Sequence, residues 1–338
     1  MLNRRRFLAS TAGVTGSLLL PSHLLAQSGI RLEKLNYFEI RVTDPGRSLS
    51  FYQGLFGMPV QFRSSDGRIF MKIGDSRQYM AIRQAGGNEA PAITQLGYSV
   101  SNYDLDSNLA ALKAGGFREI DAPDIALPGI ENPMCTWVQV RGDDTPTLYF
   151  SDERGLIVQL TDTSWCGGTG PLGSECGAPE AVPAGLIALG EINHFTSFVN
   201  DGAAANVFYQ DFFDLDIQAF QGPGAPVTGI GDGKQFVMYA GGPSAGKVPA
   251  NIHHVSFNFD GFSVDDVLQK FEQRGITARG ERQLGPLMHY ISLRMPARGG
   301  VEGGTPEVYF TDPDGILMQL QDSAYCGGGG YLGDKCLL

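Results

Sequence analysis

The sequence is poor in basic residues, in cysteine and in histidine. Its 338 residues contain 25 Lys and Arg against 36 Asp and Glu, which gives a formal charge of −11 at pH 7. Nucleic acid and anionic membranes repel such a chain, so neither is an expected partner. Beyond the first thirty residues no apolar run is long enough to span a bilayer. The 42% apolar content and the length are those of a globular protein of roughly two domains.

The N-terminal segment has the composition of a targeting signal. Arginines at positions 4–6 precede an apolar run over residues 12–25, and Ala26 supplies a small residue for cleavage. This resembles a bacterial twin-arginine export signal, and a basic N-terminal tail is the alternative interpretation. Residues 1–26 are therefore predicted to be read by the twin-arginine translocase. We expect a periplasmic or secreted protein that leaves the membrane once the signal is cleaved.

Four of the five cysteines occur in two identical frames. Cys166 and Cys176 bracket one glycine-rich loop, and Cys326 and Cys336 bracket another of the same length. This spacing indicates two local disulfides formed in an oxidising compartment, each contributing about 2–3 kcal/mol. A metal site of four thiolates and disulfides between the two frames are the alternatives. Cys135 is left over and is expected to be a buried free thiol.

The chain contains two copies of one sequence module. Residues 35–38, Leu-Asn-Tyr-Phe, recur at 192–195 as Ile-Asn-His-Phe, and residues 145–152 recur at 305–312 with few changes. A register that is kept over such distances indicates gene duplication.

The local patterns predict two similar domains of mixed α+β class, at 32–165 and 191–326. In each, a strand, a helix and further strands occur twice in succession. Residues 177–190, rich in Ala, Pro and Gly, are predicted to be the linker.

The closing strand of the second module resembles a known family. Residues 309–319, Tyr-Phe-Thr-Asp-Pro-Asp-Gly-Ile-Leu-Met-Gln, are similar to the last turn and strand of the vicinal-oxygen-chelate superfamily. That superfamily includes glyoxalase, bleomycin-resistance proteins and extradiol ring-cleaving dioxygenases. The resemblance extends over residues 32–326. It implies two tandem domains of paired βαβββ units, each forming a half-open mixed barrel.

The resemblance also implies a metal site in the second module. Its ligand positions hold His194 on the first strand, His254 on the strand that opens the second unit, and Gln319 on the last strand. Two imidazoles and one oxygen donor suit Fe(II) or Mn(II), with Zn or Ni as alternatives, and leave positions open for a chelating substrate. If His254 faces the barrel, strand alternation predicts that His253 points away.

The first module departs from this ligand set. The same positions there hold Tyr37, Gln95 and Gln159, so this module is expected to bind no metal. The family's usual third ligand is Glu, and Gln319 keeps the oxygen donor but lacks its charge. Because Gln159 occupies the matching place, a shared structural role for both amides is the alternative. The two histidines are interpreted either as ligands or as residues that remain in a pocket without one.

Three residues near the predicted site are candidates for catalysis. His289 is a candidate general acid or base, and an exposed loop histidine is the alternative. Tyr309 matches a tyrosine that dioxygenases keep beside the metal, although Tyr149 at the same place in the first module favours core packing. Tyr239 ends the strand on which these dioxygenases usually carry a catalytic histidine. No histidine occurs in that strand, nor in the glycine-rich stretch before Tyr309.

Two functions from different classes follow. The first is an exported enzyme with one divalent metal, acting on a small substrate with adjacent oxygens. The most specific version of this hypothesis is ring cleavage of a catechol-like compound. The alternative reaction is isomerase or lyase chemistry of the glyoxalase type. The second is a protein of the bleomycin-resistance type that sequesters a small molecule without catalysis or a metal. The oligomeric state is left open.

Overall fold

The fold was obtained as a computed structural model that describes residues 27–123, 133–241 and 250–337. The predicted signal at residues 1–26 lies outside the described residues. Within the described part of the chain, every helix is too short or too polar to cross a membrane.

The first half of the chain contains nine strands and two helices among its described residues. They are β1 (Leu32–Val42), α1 (Pro45–Phe56), β2 (Val60–Arg63), β3 (Ile69–Lys72), β4 (Tyr79–Gln84), β5 (Ala92–Val100), α2 (Leu105–Ala114), β6 (Arg118–Glu119), β7 (Cys135–Val140), β8 (Pro146–Ser151) and β9 (Ile157–Asp162).

The second half repeats the same order, with one short 3-10 turn at Pro296–Arg298. Its elements are β10 (Ile192–Phe198), α3 (Gly202–Phe213), β11 (Ile217–Phe220), β12 (Pro226–Gly229), β13 (Phe236–Ala240), β14 (Asn251–Phe259), α4 (Val264–Gln273), β15 (Thr277–Ala278), β16 (Met288–Arg294), β17 (Thr305–Thr311) and β18 (Leu317–Asp322). Residues 177–190 between the halves form no helix or strand.

Each half forms one mixed sheet of nine strands. The order is β2-β3-β4-β1-β5-β9-β8-β7-β6 in the first half, and the second half has the matching order. In each βαβββ unit the opening strand pairs in parallel with the closing strand, as β1 does with β4 and β5 with β9. The opening strands β1 and β5 join the two units antiparallel. The α+β prediction of two tandem domains built from paired βαβββ units is confirmed.

The first helix of each half begins at an aspartate cap. Asp44 accepts hydrogen bonds from Gly46 N and Arg47 N at the start of α1, and Pro45 supplies a φ suited to the first helical position. The cap of α3 is Asp201. Apolar residues at helical spacing then give each helix one buried face.

The two halves share one hydrophobic core, and helices of both halves contribute to it. Tyr52 of α1 donates a hydrogen bond to Asp312 of the second half, at 3.3 Å. Reciprocally, Tyr209 of α3 donates to Asp152 of the first half, at 3.0 Å. The duplication therefore yields an internal two-fold relation in which each helix packs against the turn before the other half's last strand.

A pair of buried glutamines joins the opening strands of the two halves. Gln78 donates to the Leu35 carbonyl and accepts from Ile192 N at 2.9 Å. Gln235 donates to the Ile192 carbonyl at 2.7 Å and accepts from Leu35 N at 3.0 Å. These bonds satisfy polar groups at the seam, because an unpaired buried amide costs about 1–3 kcal/mol.

The cysteines pair locally, as the first of the three readings predicted. Disulfides join Cys166 to Cys176 and Cys326 to Cys336. Cys135 is a buried free thiol, also as expected. The four-thiolate metal site and the cross-frame pairing are therefore excluded by the structure.

The substitution Asp312→Asn should remove a pH-dependent loss of stability. Burial raises the pKa of Asp312 to about 6, whereas aspartate in an unfolded chain has a pKa of about 3.9. The folded state binds this proton more tightly, so stability falls as the pH rises from about 4 to about 6, by at most about 3 kcal/mol. Asn keeps an oxygen that can accept from Asp314 N and Ile316 N.

Urea unfolding of both proteins at pH 4 and pH 7 measures this effect. The wild-type free energy of unfolding minus that of the variant should be smaller at pH 7. An equal difference at both pH values would show that the carboxyl is not protonated preferentially in the folded state.

Candidate metal centre

The pairing of β10 with β14 brings two histidines face to face. His194 on β10 and His254 on β14 are almost completely buried, and their Nε2 atoms lie 3.3 Å apart. The rings meet edge to face, with centroids separated by 5.4 Å. Two nitrogens bound to one ion, each at about 2.0–2.1 Å, lie about 2.9–3.4 Å apart. The imidazole pair therefore has the spacing that a shared ion requires.

A β-bulge changes the direction of the neighbouring histidine. Thr196 pairs with His254 but Ser197 pairs with Ile252, so His253 is an extra residue on β14. It lines the same cavity, and its Nδ1 lies 2.8 Å from Nδ1 of His254. The prediction that His253 points away is therefore wrong, because simple alternation fails at a bulge.

Asn193 sets the tautomer of His194. Its Nδ2 donates to the Tyr325 carbonyl at 2.8 Å, which turns its Oδ1 towards the imidazole. The Nδ1–H of His194 then donates to that oxygen, at 2.7 Å. This leaves Nε2 unprotonated and directed at His254, the arrangement that a metal-ligating histidine needs. A proton on Nδ1 of His254, donated to His253, leaves the second Nε2 free in the same way.

Both imidazoles are neutral at physiological pH. Burial lowers the pKa of His194 to about 3, offset in part by the neighbouring Gln319 carboxamide and reinforced by the charge of Arg294. Burial also holds the pKa of His254 well below its usual value, with further lowering by His194 and His253. Neutral imidazole is the form that binds a metal ion.

Gln319 supplies the third polar group. It lies on β18, beside Tyr309 of β17 and Ser256 of β14, and is 1% exposed. Although its carboxamide is close enough to influence both imidazoles, neither of its polar atoms makes a hydrogen bond to a described residue. Burying an unpaired amide costs about 1–3 kcal/mol, so this group is oriented for a partner that the protein itself does not provide.

These donors fit a divalent ion. Two imidazole nitrogens and an amide oxygen suit Fe, Mn, Zn or Ni. Among the described residues, no three His, Cys, Asp or Glu side chains are grouped to hold an ion. An ion at the histidine pair would therefore take Gln319 as its third protein ligand.

The three residues line a cavity of about 120 Å³. Phe198, Tyr309 and Tyr325 form part of its wall, and Phe236 stacks on the His194 ring with centroids 4.3 Å apart. Phe198, which is 43% exposed, stacks on His253 and also borders the cavity. An engineered cavity of about 150 Å³ holds benzene, so this volume is of the order required by one small ring.

Sequence reasoning missed one carboxylate in this cavity. Glu307 on β17 is 2% exposed and accepts hydrogen bonds from Arg294 Nε at 3.0 Å and the Tyr325 hydroxyl at 3.2 Å. The Tyr309 hydroxyl donates to its other oxygen, at 3.3 Å. Its position two residues before Tyr309 places it on the same strand face, which is the signal that could have identified it.

Of the three residues predicted for catalysis, the structure brings Tyr309 into the cavity. His289 packs against Phe271, with ring centroids 5.8 Å apart, and is not among the lining residues. Tyr239 stacks on Tyr209 in the shared core. Strand alternation explains both placements. Tyr290 and Met238, the neighbours of His289 and Tyr239 on the same strands, take the positions on the cavity side of the sheet. His289 and Tyr239 are therefore given no role in this cavity.

The first half fills the equivalent space with its own side chains. Arg68 donates to Glu39 at 2.7 Å, and this ion pair is buried. The Tyr37 hydroxyl bonds Glu39 at 3.3 Å and accepts from Gln95 at 3.2 Å. Gln159 is also buried there. Two of the positions that hold ligand candidates in the second half, those of Tyr37 and Gln95, thus belong to a polar network of the first half's own side chains.

The chain belongs to the Glyoxalase/Bleomycin resistance protein/Dioxygenase superfamily. The family model matches residues 34–126 and 191–320, which is more than half of the chain. No match was found among curated proteins.

Solved structures with a similar fold include ring-cleaving dioxygenases. One is homoprotocatechuate 2,3-dioxygenase from Brevibacterium fuscum in an anaerobic complex with 3,4-dihydroxyphenylacetate. It is 17% identical, with a TM-score of 0.59 over 89% of this chain and 84% of that chain. Another is a room-temperature structure of an extradiol ring-cleaving dioxygenase from B. fuscum, also 17% identical, with a TM-score of 0.59 over 93% and 76% of the two chains. At this identity the likeness shows the fold.

The substitution Gln319→Glu should strengthen binding of a divalent ion. A carboxylate keeps the oxygen donor and adds a negative charge, so the Kd for Mn(II) should fall by at least about tenfold. Isothermal titration calorimetry of wild type and variant measures it. Gln159→Glu is the matched control, since it adds the same charge beside the Glu39 network and should create no Mn(II) site. An unchanged or weaker Kd for Gln319→Glu would argue that the carboxamide does not face an ion.

Proposed function

We propose that this protein is a metal-dependent enzyme acting on a small substrate with two adjacent oxygens. The observation that carries the proposal is the facing Nε2 pair of His194 and His254 beside the unpaired carboxamide of Gln319. Fe(II) or Mn(II) is the expected ion, with Zn or Ni as alternatives. When bound, such an ion supplies a Lewis acid to which both substrate oxygens can attach.

The residues around this set would bind and orient the substrate. Tyr309 stands at the cavity with its hydroxyl already hydrogen-bonded to Glu307. The carboxylate can accept a hydrogen bond from a substrate hydroxyl, and its buried ion pair with Arg294 holds it in place. Phe198 and Met238 border the same cavity and offer apolar contact to a ring. The cavity thus combines a polar end for oxygens with an aromatic wall.

A catechol-like compound is the sharpest form of the substrate proposal. Its two hydroxyls are adjacent and its ring matches the aromatic wall and the cavity volume. The structurally similar B. fuscum enzyme is described in complex with 3,4-dihydroxyphenylacetate, a compound of this class. Ring cleavage of such a compound is therefore the proposed reaction, and glyoxalase-type isomerisation or lyase chemistry is the milder form.

A non-catalytic binding protein is the second candidate function. The observation that favours it is the composition of the cavity wall. Its histidines are the two ligand candidates and His253, which is hydrogen-bonded to one of them. Among the described residues, no further imidazole lies there to move a proton during a reaction. A protein that only sequesters its ligand would need no such group.

Export to the periplasm or beyond forms part of the proposal. The arginines and the apolar run within residues 1–26 support it. The two local disulfides support it independently, because such bonds persist in oxidising compartments.

Metal content and oxygen uptake test the enzyme proposal directly. The protein purified from its export compartment should carry close to one equivalent of one transition metal, measured by mass spectrometry. It should consume oxygen with at least one member of a panel of small catechols. A metal content under about a tenth of an equivalent after reconstitution with Fe(II) and Mn(II) would end the proposal.

Two variants separate the enzyme from the binding protein. His194→Ala removes a ligand candidate and should lower both metal content and oxygen uptake by at least about tenfold. His289→Ala is the matched control, because its ring packs against Phe271 outside the cavity, and it should keep both. Retention of catechol binding by His194→Ala, together with no turnover by wild type, would favour the sequestering function.

A further inference from the structure

The second glycine-rich loop, residues 326–336, is built against the candidate metal centre. The disulfide between Cys326 and Cys336 closes it. Tyr325, the residue before the first cysteine, lines the cavity and contacts the His194 ring at a centroid distance of 5.8 Å. The loop therefore begins within the wall of the site.

One chain of hydrogen bonds connects this loop to the ligand candidate. Gln218 donates to the Cys326 carbonyl at 2.8 Å, and Cys326 N donates to Gly333 O at 3.0 Å inside the loop. The preceding carbonyl, that of Tyr325, accepts from Asn193 Nδ2 at 2.8 Å. Asn193 Oδ1 in turn accepts from His194 Nδ1. The loop thus holds the residue that orients the imidazole.

A second connection runs through the buried carboxylate. Arg294 is completely buried and donates to Gly328 O of the loop at 2.8 Å. The same guanidinium donates to Glu307, which also accepts from the Tyr325 hydroxyl. Two separate points of the loop are therefore tied to the cavity wall.

The first half has an equivalent loop, but its matching asparagine is hydrogen-bonded elsewhere. Its disulfide joins Cys166 to Cys176, and Arg141 donates to the loop carbonyls at Gly167 and Gly168. However, Asn36, which matches Asn193, donates to the Thr161 hydroxyl at 2.8 Å, a group on strand β9 and not in the loop. The link from loop to opening strand through this asparagine belongs to the half that carries the histidines.

We propose that Asn193 is a positioning residue for the metal ligand His194, and that the Cys326–Cys336 disulfide acts through it. Closing the loop fixes the Tyr325 carbonyl, which fixes Asn193, which holds Nε2 of His194 towards His254. Affinity for the ion then depends on a disulfide that makes no contact with it. This inference rests on the proposed function, since it requires that His194 binds a metal.

Mn(II) affinity of two matched pairs of variants tests the proposal. Asn193→Ala should weaken Mn(II) binding by about 10–100-fold, the usual effect of losing a group that orients a ligand. The double variant Cys326→Ala/Cys336→Ala should weaken it by at least about fivefold through the same link. Asn36→Ala and Cys166→Ala/Cys176→Ala make the same changes in the first half and should stay within about twofold of wild type.

Combining the changes shows whether Asn193 carries the effect of the disulfide. In the Asn193→Ala background, removing Cys326 and Cys336 should add little further loss of affinity, because the link is already broken. Additive losses would overturn that route. Equal affinities for the two cysteine double variants would overturn the role of the disulfide.

Thermal unfolding separates positioning from general damage. Both cysteine double variants should lower the midpoint by similar amounts, while only the variant in the second half loses affinity. If that variant does not fold, Gln218→Ala, which frees the Cys326 carbonyl but keeps the disulfide, decides the question by the same titration. Wild-type protein that binds no Mn(II) would instead contradict the proposed function itself.

Discussion

The register of β10 against β14 is the constraint on which the site depends. It places His194 and His254 on the same face of adjacent strands, with Nε2 atoms 3.3 Å apart. Two such lone pairs pointed at each other in a buried space repel unless a proton or a cation lies between them. Hydrogen bonds donated by both Nδ1–H groups, that of His194 to Asn193 Oδ1 and that of His254 to His253 Nδ1, hold the rings in this arrangement. The buried site thus places two unprotonated Nε2 atoms next to each other, on imidazoles that carry no charge.

The two halves share one scaffold, but side chains fill its inner space in the first half and leave a cavity in the second. Both have the same strand order, the same bulge on the strand beside the opening strand, and a glycine-rich loop closed by a disulfide. In the first half Glu39 and Arg68 place their ion pair within the cup, and the positions 157 residues later are Thr196 and Ala225. The smaller side chains leave room, and Thr196 lines the cavity. Side-chain volume at a few inward positions separates a filled core from a binding site.

The sequence predicted the fold well because duplication and strand alternation are repeated signals. The three ligand candidates lay in one cavity, as the resemblance implied, although their chemistry stays a prediction. The failures have different causes. A bulge has no marker in this sequence, so His253 was placed on the wrong face. His289 was chosen as a histidine expected near the metal and Tyr239 for the strand that it ends, whereas the face that a side chain takes depends on which neighbour turns inward. Glu307 was missed because buried carboxylates are rare and its partner Arg294 lies on another strand.

Anomalous diffraction from crystals soaked with Mn(II) tests the central claim most directly. The account predicts one strong peak between Nε2 of His194 and Nε2 of His254, within bonding distance of the Gln319 carboxamide oxygen, and no peak in the cup formed by Tyr37, Glu39 and Arg68. A crystal with an open cavity and no peak at the histidine pair would contradict it, as would a peak bound by other residues of the chain.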